Sequence, residues 1–108
     1  MTTSSETPVL DTLAAMTLDS IERCGMPEDT LILTRISALV AMDAPAMSYL
    51  AHLGPAMESG LTVDQLQDVL VAIAPIVGTA RVMSAAAHIT EALGFAIAVA
   101  ETDLGPGA

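Results

Sequence analysis

Apolar residues in this chain recur at every third or fourth position in successive stretches fenced by proline or glycine, and no stretch sustains the period-two alternation of a half-buried strand. That pattern predicts helices. The apolar residues are mainly Ala, Leu, Val, Ile and Met: 53% of the sequence is hydrophobic and only 2% aromatic. Ala, Leu and Met are strong helix formers. A chain of 108 residues has material for one core and too little for two. The expectation is an all-α, compact single-domain bundle of about five to six helices.

The Ser/Thr-rich start, residues 1–6, reads as a disordered tail, residues 7–102 as the helical domain and residues 103–108 as a second tail. Thr7-Pro8 offers a cap and a first-turn proline for a first helix, whose stripe of Leu10, Leu13, Ala14, Thr17, Leu18 and Ile21 ends near Cys24-Gly25 with Gly25 past its end. Pro27, Glu28 and Asp29 open a second helix with Ile32, Ile36, Leu39 and Val40 on its core face. Asp43-Ala44-Pro45 caps a third through about Ser59, closed by Gly60, with a kink or break expected at Gly54-Pro55. Thr62 and Gln65 form a capping box for a fourth helix, bent near Pro75 and closed by Gly78. Thr79 begins a long fifth to about Glu101, divisible at Gly94, in which Ser84 to Ala87 would let another helix come close.

A domain of this size buries only about 60 to 65% of the surface its unfolded chain exposes, so a chain this apolar should need a homo-oligomer to cover the remainder. The longest uncharged runs, Ala44 to Met57 and Val69 to Ala80, fall short of the roughly 18 to 20 residues of a spanning helix, so no membrane role is expected. MTTSSETPVL shows no basic segment leading into an apolar one, which points to a cytoplasmic protein. The net charge of −10, with three arginines and no lysine, repels phosphate backbones and argues against nucleic acid. Cys24 is the sole cysteine, so an intrachain disulfide, a CxxC centre and a cysteine-rich zinc site are all impossible. Neither histidine has a second ligand at metal spacing. No metal or other cofactor is expected.

The inventory for proton transfer or anion binding is short. On the third helix Pro45, Ser48, Tyr49, His52 and Ala56 share one side, with Met47, Leu50, Leu53 and Met57 mostly on the other. His52, one turn from Ser48 and Tyr49, can serve as an acid or base near neutral pH; the same placement suits a capping or subunit-interface histidine. His88 lies among alanines, as a packed or interface histidine would. Arg35 sits in an apolar helix and must pair with a carboxylate or face a cavity. Arg81, in the first turn of the fifth helix, is at the unfavourable end of the dipole and calls for an anion or a carboxylate from elsewhere. Cys24 has only Arg23 beside it to lower its pKa and reads as inert.

The segment TRISALVAMDAPAMSYLAHLGPAMESGLTVDQLQDVLVAIAPIVGTARV resembles the carboxymuconolactone decarboxylase family, which includes the alkyl hydroperoxidase D-like proteins; the resemblance extends over roughly residues 33–93. It is most specific in HLGPAMESGLTVDQLQDVL, where Gly60 follows His52 by eight positions and leads into Leu61-Thr62, and it extends to Gly78. The resemblance implies a helical bundle assembling as trimers or hexamers. The positions of the hydroperoxidase branch's two cysteines hold Pro45 and Ser48, and its upstream glutamate falls near Leu33, so thiol peroxidase chemistry is not expected. The decarboxylase branch lacks those cysteines, and its histidine and upstream arginine would be His52 and Arg35, although Gly54-Pro55 departs from its pattern. The resemblance thus implies a non-redox protein that binds or converts a small organic acid or lactone, a lyase if it is an enzyme. His52, Ser48 and Tyr49 would be catalytic, with Arg35 and Arg81 holding the substrate. The other expectation is an oligomeric scaffold of the same fold without chemistry.

Overall fold

The computed structural model describes residues 6–58 and 60–104, apart from the side chains at 55 and 95–104. Five helices follow one another: α1 (Pro8–Arg23), α2 (Glu28–Ala41), α3 (Ala46–Glu58), α4 (Val63–Val77) and α5 (Thr79–Leu104). The described residues contain no strand, and the chain is all-α as its periodicity predicts. Residues 1–5 and 105–108 of the expected tails lie outside the described residues.

Local chemistry explains most of the boundaries. At α4 the capping box forms in full: Gln65 N donates to Thr62 Oγ1 at 3.1 Å and Thr62 N donates to Gln65 Oε1 at 2.9 Å. α3 ends in a Schellman motif, with Leu61 N donating to Ala56 O and Gly60 N to Met57 O, and Gly60 supplies the left-handed residue at φ 100°. α2 ends the same way, with Ala44 N on Leu39 O and Asp43 N on Val40 O, but its left-handed residue is Asp43 at φ 54°. α1 closes differently from its sequence expectation: Cys24 leaves the helix extended at φ −80°, and Gly25 does not take the left-handed conformation. α3 and α5 also run without interruption through Gly54-Pro55 and Gly94, where a break and a division were expected.

The core belongs to α2–α5. Ile36 and Val40 from α2, Tyr49, Leu53 and Ala56 from α3, Leu66 and Val69 from α4, and Ala85, Ile89 and Ala92 from α5 make one buried cluster. α3 packs most extensively on α5, where the small side chains of Ala85 and Ala92 permit the close approach. The inward face of α3 is Tyr49, Leu53 and Ala56, with Leu50 packed at its edge, while Met47 is 74% exposed and Met57 is exposed too. Burying an aromatic ring removes more apolar surface from water than burying a methionine, which favours this rotation of the helix.

α1 stands apart. It has no buried residue, packs on no other helix in the way that α2–α5 pack on one another, and leaves Val9, Leu10, Leu13, Met16, Leu18 and Ile21 exposed. At 100° per residue these six side chains span about 200° of the helix, twice the usual apolar stripe of a surface helix.

Candidate functional site

α3 carries His52 one turn beyond Ser48 and Tyr49, and all but Tyr49 are half-buried. The His52 imidazole makes no hydrogen bond among the described residues, and its pKa is held below the ordinary 6.5, first by burial and then by the charge of Arg35. It is therefore neutral at physiological pH. Arg35, half-buried on α2, reaches across to α1: Nη2 donates to Ser20 Oγ at 3.0 Å and to the Thr17 carbonyl at 3.4 Å. Among the described residues the sole ion pair is Arg23 with Asp19, at 2.9 Å on the surface of α1. So Arg35 has no carboxylate partner there, although acidic residues outnumber basic ones thirteen to three in the sequence. Its Nε and Nη1 each remain able to donate to a carboxylate oxygen, though not as one forked pair, because both forks of a guanidinium use Nη2.

Of the other predicted residues, Arg81 is held at the end of α2 and Tyr49 in the core. Arg81 Nη1 donates to the Ala41 carbonyl at 2.9 Å, placing its charge at the negative end of the α2 dipole, which offsets its unfavourable place on α5. Beside it, Ser84 Oγ donates to Asp43 Oδ1 at 2.6 Å and lies 3.5 Å from His88 Nδ1. The single hydroxyl proton of Ser84 is committed to Asp43, so any bond with His88 has the imidazole as donor. This is the reverse of an activated nucleophile. The Tyr49 ring is fully buried and its hydroxyl has no partner; burial, and next the Asp43 carboxylate, push its pKa above 10.0. The structure thus brings His52 and Arg35 into electrostatic contact, and it sets Tyr49 and Arg81 at the α2–α3 corner.

The Asp43-Ser84-His88 chain was not visible as a motif. Ser84 and His88 are one helical turn apart, but Asp43 is 41 residues away and reaches them only because α2 ends in a left-handed turn against α5. Among the described residues, cavities flank the core on two sides. One, of about 370 Å³, lies between the start of α2 and the α3–α4 connection and is lined by Glu28, Asp29, Ile32, Ala56, Leu61 and Gln65 among others; its two carboxylates make it a poor host for an acid. The other, of about 140 Å³, is a groove between α4 and α5. His52, Ser48, Tyr49, Arg35 and Arg81 line neither. No cluster of three or more potential metal ligands occurs among the described residues, and none of their helices is long and apolar enough to cross a membrane. Compared with family models, curated proteins and solved structures, the chain matches none.

Proposed function

We propose that the protein is a homo-oligomeric, non-redox relative of the carboxymuconolactone decarboxylase family that binds or converts a small organic acid or lactone at His52 and Arg35. The observation that carries this reading is the neutral, unpartnered imidazole beside a half-buried guanidinium that no carboxylate neutralises. A carboxylate ligand would supply the missing counter-charge to Arg35, and His52 would move a proton at the adjacent carbon or oxygen. Ser48, half-buried one turn away, is the nearest hydroxyl on the same helix. Arg81, bonded to the Ala41 carbonyl, and Tyr49, its ring sealed in the core, are left out of this site. The test is calorimetric titration of the full chain with small mono- and dicarboxylates and lactone acids, repeated on Arg35→Gln and His52→Gln. Loss of a charge-assisted hydrogen bond should weaken binding by about 10- to 100-fold. Equal binding by wild type and Arg35→Gln would refute the site.

A second reading, in which assembly itself is the function, is favoured by the exposed apolar residues of α1. It predicts unchanged self-association in His52→Gln and no carboxylate binding in wild type, measured by the same titration alongside sedimentation velocity.

A further inference from the structure

Arg35 is shared between two helices. From α2 its Nη2 donates to the Ser20 hydroxyl at 3.0 Å and to the Thr17 carbonyl at 3.4 Å, both on α1. α1 has no buried residue and packs on no helix in the way that α2–α5 pack on one another, so it leans on these bonds for its place on α2. Both forks of a guanidinium use Nη2. A carboxylate can therefore take a single bond from Nε or Nη1 while α1 stays, but it gains the forked pair only by taking Nη2 from α1.

The competition favours the carboxylate. It brings a full opposing charge to a half-buried cation that has no carboxylate partner among the described residues. Ser20 and Thr17 offer only a neutral hydroxyl and a neutral carbonyl, the second at the long limit of a hydrogen bond. Release strands neither group: the Ser20 side chain is exposed and can turn to water, and the Thr17 carbonyl lies within the hydrogen-bond ladder of α1. We propose that a carboxylate bound at Arg35 displaces Thr17 and Ser20 from Nη2 and releases α1, which makes this helix a ligand-controlled arm; the inference rests on the carboxylate reading of Arg35 given above. A released α1 also loses order, because 16 residues without a packing partner form only a marginal helix in water. The coupling is reciprocal, so a weaker tie must mean a tighter ligand.

The experiment is hydrogen exchange of the full chain with and without saturating succinate or benzoate, run beside calorimetric titration, on wild type, Ser20→Ala and Arg35→Gln. With probe bound, the amides of α1 in wild type should exchange on the order of tenfold faster, while those of α2–α5 do not. Ser20→Ala leaves His52 and Arg35 in place and removes one bond of the tie. It should bind the probe about 2- to 10-fold more tightly than wild type, and its α1 should exchange faster before any probe is added. Suppose the probe binds and Arg35→Gln abolishes that binding. If α1 exchange then stays unchanged at saturation, or Ser20→Ala binds no more tightly, the carboxylate sits on Nε or Nη1 beside an intact tie, and this inference fails while the carboxylate site stands. If neither probe binds wild type, both fail.

Discussion

The buried Tyr49 hydroxyl shows how a single atom can reveal what a helix does. Its ring fills the centre of the core, yet its oxygen finds no partner, and an unmet buried hydroxyl costs about 1–3 kcal/mol. Tyr49→Phe is expected to raise stability by about 1 kcal/mol, seen as a higher urea midpoint at unchanged slope; a fall would mean that the hydroxyl has a partner in solution. His52 carries a pH dependence. Between its lowered folded pKa and 6.5 the unfolded chain binds more protons than the native one. The His52 contribution is therefore fully present above pH 6.5 and is lost as pH falls through the folded value. The difference in stability between wild type and His52→Gln should shrink on acidification across that window, as followed by thermal melting. Both His52 and Arg35 could be picked out beforehand, because a histidine on a mixed stripe and an arginine in an apolar helix are conspicuous residue by residue. The burial of Tyr49 could not be foreseen, since periodicity reports which side of a helix a residue takes but not how deeply that side sits.

At the scale of elements, the turns between helices are held by chemistry that short motifs encode. Thr62→Ala should cost about 1 kcal/mol through loss of the capping box, and Gly60→Ala at least about 1 kcal/mol, because φ 100° strains any residue with a β-carbon; denaturant melts of each variant would show both. The Thr62-Gln65 box, Gly60 and Gly78 stood out in the sequence because each works within one turn. Asp43 in a left-handed position did not, because glycine is the usual occupant there and the Ser84 hydrogen bond at its carboxylate comes from a distant helix. The expected break at Gly54-Pro55 does not occur: α3 continues, and its packing along α2 and α5 offsets the weak turn. The periodicity of α1 was plain, but its independence from the core was not, since an apolar stripe looks the same whether it faces its own chain or another.

At the scale of the whole molecule, α2–α5 share one core and α1 stands outside it with its apolar side chains exposed. Like charges of −10 per copy oppose association, so raising ionic strength from low to physiological salt should strengthen the proposed self-association, as read from concentration-dependent sedimentation. The proposed function turns on His52 and Arg35, and the most direct measurement is an NMR titration of the two histidines, His52 and His88, with and without a small carboxylate ligand. His52 should titrate below 6.5 alone and move upward when the carboxylate neutralises Arg35, while Arg35→Gln abolishes the response. A His52 that titrates at its ordinary value and ignores the carboxylate would contradict the proposed site.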